Sequence, residues 1–198
     1  MLTLILTYNL EAKQVKKVKN TENTSGGKAM KVLMIIAKTG FRDEEYFDPR
    51  EVLQKAGIEI VTASSSLGEA TGMLGGKTKV DTTIDKIKVS DYDGIIFVGG
   101  IGSKEYWNNS IAHQIVQEAV KHDKVLSAIC IAPITLAYAG VLKGKKATVY
   151  ESEIDKLKNL GAVYTGNKVE VDGKIVTGSG PAVAKLFGEK VRDVLLKK

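Results

Sequence analysis

The stretch that decides the fold is residues 125–133, VLSAICIAP, which contains the only cysteine of the chain, Cys130. Apolar residues lead up to this cysteine, Pro133 follows three positions after it, and residues 134–142 are apolar at almost every position. This pattern predicts a buried strand, a sharp turn and a buried helix. The small residues Ala128 and Ala132 flank Cys130 at two positions' distance. Small flanks suit a tight strand-to-helix turn, a nucleophile elbow, in which bulky neighbours would clash.

Apolar runs alternate with helical segments from residue 30 to the end of the chain. Further predicted strands cover residues 31–37, 58–63, 94–98 and 147–150, and a hairpin that turns at Asp172-Gly173 covers residues 169–177. Predicted helices cover residues 43–56, 110–122, 152–160 and 182–196, while the Gly-rich residues 64–89 are predicted to form a hairpin or short strands. Such alternation predicts an α/β layered fold with a mainly parallel sheet.

Composition predicts one ordinary globular domain. The chain has 198 residues, of which 43% are hydrophobic and 26% charged, which is enough for a single substantial core. Residues 20–27 are polar and Gly-rich, so we expect residues 1–29 to be a separate leader or linker, disordered or added to the fold, and residues 30–198 to be the domain. No apolar run reaches the ~20 residues of a membrane span, and the start lacks a signal-peptide pattern. One cysteine and no signal predict a cytoplasmic protein.

Charge does not predict a nucleic-acid partner, although the net charge is +6. Residues 1–29 hold five lysines against two glutamates, so half of the excess lies in the leader. Elsewhere lysines are interspersed with acids, without an arginine cluster or a basic stripe with aromatics.

Cys130 has two interpretations. A lone cysteine is most often a small buried core residue. The elbow spacing and the helix that begins behind it favour a reactive thiol, because the amino end of a helix stabilises a thiolate. Gly99, Cys130 and Tyr150 all lie at or just past the carboxyl ends of predicted strands, which is where ligands bind in parallel α/β folds.

Other candidate groups are less decisive. Gly99 and Gly100 lack the spacing of a nucleotide-binding loop. Their N–H groups and that of Ile131 could hold an oxyanion. Alternatively, the glycines could simply form a tight turn. Either Glu44 or Glu45 could exchange a proton with the thiol, or both could be solvated acids at a helix start.

The two histidines predict neither a catalytic base nor a metal site. His113 and His122 lie on one predicted helix and do not follow a strand, so surface roles are favoured over that of a base. Their spacing with one cysteine predicts no metal site, and no cofactor is expected.

Several motifs together carry a family resemblance. Glu45 and Pro49 form an E-x-x-x-P, and residues 98–100 resemble P-G-G with Val98 at the proline position. Residues 128–133 fit the elbow A-x-C-x-(G/A)-P, and residues 140–145 resemble G-V-L-x-G-K. With these motifs, residues 30–198 resemble the DJ-1/PfpI superfamily. The resemblance implies a class I glutamine amidotransferase-like, flavodoxin-like three-layer sandwich, a nucleophile at Cys130 and a protonated Glu45 bonded to it.

Departures from the pattern narrow the expected chemistry. Protease-like members carry histidine directly after the cysteine, where this chain has Ile131. Tyr150 stands where members have His or Tyr near the site, and Ser179 replaces an arginine that some members place before Gly180. Without that arginine, the anion binding that it provides is in question.

The resemblance implies three candidate functions. The first is a cofactor-free cysteine enzyme that acts on reactive carbonyls, as a glyoxalase, deglycase or related hydrolase, with Gly99, Gly100, Ile131 and Tyr150 around the substrate. The second is a redox-sensing or chaperone-like stress protein in which Cys130 becomes a sulfinate. The third is an intracellular peptidase, which the missing histidine disfavours. The expected partners are a small carbonyl compound or a peptide, and further copies of the chain in a homo-oligomer, without nucleic acid or membrane.

Overall fold

Buried aliphatic strands form the centre of the computed structural model, which describes residues 29–197. The strands are β1 (Lys31–Ile35), β2 (Thr39–Phe41), β3 (Glu59–Ser64), β4 (Gly68–Gly72), β5 (Lys77–Val80), β6 (Thr82–Thr83), β7 (Gly94–Phe97), β8 (Val125–Ile129), β9 (Lys146–Ala147), β10 (Val163–Tyr164), β11 (Val169–Asp172) and β12 (Ile175–Gly178). The helices are α1 (Asp43–Lys55), α2 (Ser110–Lys121), α3 (Pro133–Tyr138), α4 (Ile154–Asn159) and α5 (Ala184–Leu196). Short 3-10 segments cover Ile84–Lys86, Val89–Asp91, Ile101–Tyr106, Glu151–Glu153 and Pro181–Val183. The predicted leader, apart from Ala29, lies outside the described residues.

The main sheet has seven strands in the order β11-β12-β8-β7-β1-β3-β6. Every neighbouring pair in it is parallel except the edge pair β11 and β12. β7 and β8 lie side by side, with Phe97 opposite Ala128, so the loops that follow them, which contain Gly99 and Cys130, meet at one edge of the sheet. This arrangement brings the candidate residues together.

Alternate residues of the central strands pack into two separate cores. Leu33 and Ile35 of β1 lie in the core that includes residues of α2 and α3. Val32 and Met34 lie in the opposite core, which includes residues of α1 and α5. Side chains that alternate between two buried faces are the reason why these strands read as continuous apolar runs.

The predicted fold class is confirmed: the protein is α/β with a mostly parallel central sheet between helical layers. The Gly-rich region contains the antiparallel hairpin of β4 and β5, and the hairpin at Asp172-Gly173 is present as β11 and β12. Among residues 29–197, no helix is both long enough and apolar enough to cross a membrane.

Two predicted elements are shorter than expected. The helix expected over residues 134–142 ends at Tyr138, because Gly140 takes a positive φ of 83° and turns the chain. The strand expected over residues 147–150 ends at Ala147. Beyond it, the backbone leaves the strand ladder: the Thr148 N–H donates to the Thr177 hydroxyl at 2.9 Å, and the Tyr150 N–H donates to the Cys130 carbonyl at 2.9 Å.

Candidate active site

Cys130 lies on the sharp turn between β8 and α3 that its neighbours predicted. Its φ is +63°, a left-handed conformation that is uncommon for a residue with a side chain. Such a conformation costs about 1–3 kcal/mol and persists only where the surrounding structure enforces it. The Cys130 N–H donates to the Gly178 carbonyl and the Ala132 N–H donates to the Ile129 carbonyl, so both sides of the turn are held. The side chain is 8% exposed and faces a cleft.

Glu45 reaches this turn because the start of α1 is fastened to the loop after β7. The Arg42 N–H donates to the Gly99 carbonyl at 3.0 Å, and Glu45 follows in the first turn of the helix. Gly99 has to be glycine in this packing, since a Cβ there would collide with Oε2 of Glu45 and with Cβ of Cys130. Three separate segments therefore converge at the thiol.

The Glu45 carboxyl is fully buried, and neither of its oxygens has a hydrogen-bond partner that meets geometric criteria among the described residues. Burial raises the pKa of Glu45 to about 8, and the nearby Cys130 side chain and the Arg42 charge offset only part of that rise. A buried carboxylate without full pairing is unstable, so the group keeps its proton. At neutral pH Glu45 is therefore a proton donor beside the sulfur.

The pKa of the Cys130 thiol is raised to about 12, first by burial and second by the negative charge of Glu45, while the N–H groups of Gly100 and Ile131 lower it. This differs from the thiolate that the amino end of a helix was expected to favour, because α3 has only 6 residues and the sulfur is largely cut off from water. The contribution of Glu45 requires its ionised form. While Glu45 is protonated, that contribution is absent and its O–H can donate to a thiolate instead.

Two of the backbone N–H groups that the sequence suggested for an oxyanion, those of Gly100 and Ile131, lie near the thiol, whereas the N–H of Gly99 does not act on it. The N–H groups of Gly100 and Ile131 both act on the Cys130 sulfur. Gly100 has a φ of +95°, which turns the chain directly after Gly99. Two backbone N–H groups at a nucleophile are suited to stabilising negative charge that develops on a substrate oxygen.

Tyr150 lies beside the thiol although the strand predicted to contain it ends at Ala147. Its N–H bond to the Cys130 carbonyl holds it there, and its side chain is 38% exposed. The ring packs over Gly180, where a Cβ would come within 2.9 Å of it. Tyr150 forms one wall of the cleft.

The cleft above Cys130 has a volume of about 230 Å³. Besides Glu45, Gly100, Cys130, Ile131 and Tyr150, its lining consists of Arg42, Met73, Ile101, Lys104, Ser152, Glu153 and Pro181. Met73 is held there by the buried Asp43 of α1, whose carboxylate accepts from the N–H groups of Leu74 and Gly76 at 2.8 and 2.7 Å. Sequence reasoning missed these additional residues, since they come from loops without a recognisable spacing.

The structure also separates the alternatives that the sequence left open. Glu44 turns away from the thiol to form two hydrogen bonds with the Arg42 guanidinium, at 2.8 and 3.0 Å, which lower its pKa. His113 and His122 do not line the cleft; His113 bonds the Trp107 carbonyl at 2.7 Å. Within the described part of the chain, no group of three or more His, Cys, Asp or Glu residues could hold a metal ion.

Known proteins are similar to this chain over most of its length. Protein MJ0967 of Methanocaldococcus jannaschii is 47% identical over 173 residues, which cover 86% of this chain and 84% of that protein. Deglycase PH1704 of Pyrococcus horikoshii is 35% identical over 153 residues, covering 77% and 92%. YraA of Bacillus subtilis, provisionally named a cysteine protease, is 30% identical over 166 residues, covering 83% and 98%.

Solved structures are also similar to this chain over most of its length. The ThiJ/PfpI domain protein from Brachyspira murdochii superposes with a TM-score of 0.83 at 28% identity, covering 85% of this chain and 98% of that one. Oxidized DJ-1 of Toxoplasma gondii gives a TM-score of 0.77 at 29% identity, covering 85% and 91%. A profile of the DJ-1/PfpI family matches residues 30–193. This chain therefore belongs to the DJ-1/PfpI family.

Proposed function

We propose that this protein is a cofactor-free cysteine enzyme that converts reactive carbonyl compounds, of the 2-oxoaldehyde type or their adducts, with Cys130 as nucleophile and Glu45 as the proton-transfer group. The observation that carries this is the protonated, unpaired Glu45 carboxyl beside a thiol with two N–H groups at the sulfur. Relatives named deglycases support the substrate class.

The proposed chemistry on methylglyoxal begins with addition of the Cys130 sulfur to the aldehyde carbon, while the thiol proton leaves to solvent. The N–H groups of Gly100 and Ile131 hold the resulting alkoxide until Glu45 protonates it, which gives a hemithioacetal. The Glu45 carboxylate then takes the proton from the former aldehyde carbon and returns it to the neighbouring carbon by way of an enediol. In the same conversion the former ketone oxygen takes up a proton from solvent and the hydroxyl on the former aldehyde carbon gives one up. The aldehyde carbon is thereby oxidised to a thioester and the ketone reduced to an alcohol; water releases lactate and the thiol.

The test is lactate formation from methylglyoxal, followed by proton NMR. Because Cys130 is the only cysteine, protein whose thiol is fully blocked with iodoacetamide is a matched control that keeps every other residue. We expect lactate to form with native protein and to fall to the protein-free level with blocked protein. Equal lactate formation by native protein, blocked protein and buffer would refute the proposal.

A second candidate function, redox sensing, is supported by the same carboxyl. A protonated Glu45 without a partner can donate to an oxygen of an oxidised sulfur, which stabilises a sulfinate. Mild peroxide is then expected to add two oxygens, about 32 Da, to Cys130 and to stop there. Mass spectrometry checks this; direct passage to the sulfonate, or no oxidation at all, speaks against a sensor.

A peptidase is supported less well. The position after the nucleophile is Ile131, and neither histidine lies in the cleft. Peptide hydrolysis needs an acid that gives a proton to the leaving amine. Without a histidine in the cleft, Glu45 would have to be that acid.

A further inference from the structure

We propose that Lys104 makes the Cys130 cleft selective for substrates that carry an anionic group, such as a carboxylate, in addition to the reactive carbon. The inference names the substrate class within the proposed function and rests on that function as far as turnover is concerned. Its basis is the placement of Lys104 and the balance of charge among the side chains that line the cleft.

Lys104 is held at the mouth of the cleft by its own backbone turn. It lies on the 3-10 turn Ile101–Tyr106, which begins directly after Gly100, and its side chain lines the cleft together with Cys130. Its ammonium lies 5.2 Å from the centre of the Trp107 ring. The indole N–H of Trp107 donates in turn to the Ile131 carbonyl at 3.2 Å. The Trp107 ring thus contacts both the Lys104 ammonium and Ile131, the residue that follows the nucleophile.

The other charges of the cleft are compensated by partners. Arg42 is paired with Glu44 at 2.8 Å, outside the cleft lining. Glu153, which lines the cleft, is paired with Lys156 at 2.6 Å. Each of these pairs contributes little net charge.

Lys104 differs from these groups, since it has no ion pair within 4.0 Å among the described residues. The neighbouring Glu105 carboxylate instead accepts from the Lys38 N–H at 3.3 Å. The Lys156 ammonium also lies against the Trp107 ring, 4.0 Å from its centre, but its charge is balanced by Glu153. With Glu45 protonated, the cleft therefore carries a net positive charge.

Lys104 is exposed at the mouth of the cleft, so water and salt screen part of its attraction for an anion. The effect on an anionic substrate is therefore severalfold and grows as the ionic strength falls. A neutral analogue of the same size lacks that attraction. Lys104 is thereby a specificity-determining residue, and the N–H groups at the sulfur remain free for the oxyanion.

Iodoacetate and iodoacetamide provide a matched pair of probes that does not depend on turnover. The Cys130 thiolate attacks the methylene carbon of either reagent and displaces iodide. Iodoacetate carries a carboxylate where iodoacetamide carries a neutral amide. The readout is the ratio of their second-order rate constants, iodoacetate over iodoacetamide. We expect Lys104→Gln to lower this ratio about three- to tenfold, and Lys104→Arg to restore most of it. Lys121→Gln, which removes an equal charge from the exposed end of α2, is expected to leave it unchanged.

A second comparison separates this inference from the proposed function. Turnover of 4-carboxyphenylglyoxal is compared with that of phenylglyoxal, and we expect Lys104→Gln to lower the ratio of their kcat/KM values by a similar factor. If neither compound is turned over but the alkylation ratio falls in Lys104→Gln, the anion preference stands and the enzymatic function fails. If both are turned over and neither ratio changes, or if Lys121→Gln changes the alkylation ratio equally, the role of Lys104 is refuted.

Discussion

Replacing Cys130 with serine is expected to lower lactate formation from methylglyoxal by at least about a thousandfold. The serine hydroxyl has the size of the thiol but is far less acidic, and no histidine lies in the cleft to activate it. Glu45 does not substitute for such a base, since burial keeps it protonated at neutral pH. The measurement is the initial rate of lactate formation with wild-type and variant protein at pH 7.

Folding does not confound this comparison. The variant keeps a Cβ at the position with φ +63°, so the strain of the elbow is the same in both proteins, and their unfolding transitions should nearly coincide. A serine variant that retains more than about one tenth of the wild-type rate would mean that Cys130 is not the nucleophile.

The Glu45→Gln variant is expected to lose most of the pH dependence of stability that Glu45 gives the wild-type protein between pH 5 and pH 8. The Glu45 pKa is about 8 in the folded protein and near 4.5 when unfolded. Within this window the folded state binds more protons than the unfolded state, so stability is highest at low pH and falls as pH rises. The loss amounts to roughly 3 kcal/mol between pH 5 and pH 8. Glutamine does not ionise, so this loss disappears.

Urea unfolding of both proteins at several pH values measures this difference, and all other titrating groups cancel in the comparison. Glu44→Gln is the matched control. Its pKa is lowered by Arg42, so Glu44 is already ionised in both states above pH 5 and its loss should leave the slope unchanged. Parallel stability curves for wild type and Glu45→Gln would show that Glu45 is not a buried neutral acid.

The elbow could be predicted from sequence because its requirements are local. Nine residues contain all of its features: a buried strand, small residues on both sides of Cys130, and Pro133 in the following helix. Each feature has a physical reason to occur at a tight strand-to-helix turn. The left-handed backbone at Cys130 is the structural consequence of that pattern.

The choice between Glu44 and Glu45 could not be made from residues alone. Adjacent residues on a helix point about 100° apart, so one of the two must turn away from the thiol. The orientation is set by a contact between distant segments, the Arg42 N–H bond to Gly99, together with a local pairing of the Arg42 side chain with Glu44. Neither contact leaves a periodic signal in the sequence.

Tyr150 and Lys104 show a similar limit. Tyr150 was expected at the end of a strand, but a single hydrogen bond from its N–H to the elbow holds it at the site instead. Lys104 is one of many lysines, and only the pairing of its neighbours identifies it as the uncompensated charge of the cleft. Charge compensation is a property of the folded arrangement.

The central claim is that a protonated Glu45 lies beside the Cys130 thiol at neutral pH. The most direct test is infrared difference spectroscopy of wild-type protein against Glu45→Gln across a pH titration, which isolates the C=O stretching band of one protonated carboxyl. The account predicts that this band is present at pH 6 and 7 and is replaced by carboxylate bands with a midpoint at about 8. Carboxylate bands already complete at pH 6 would contradict it.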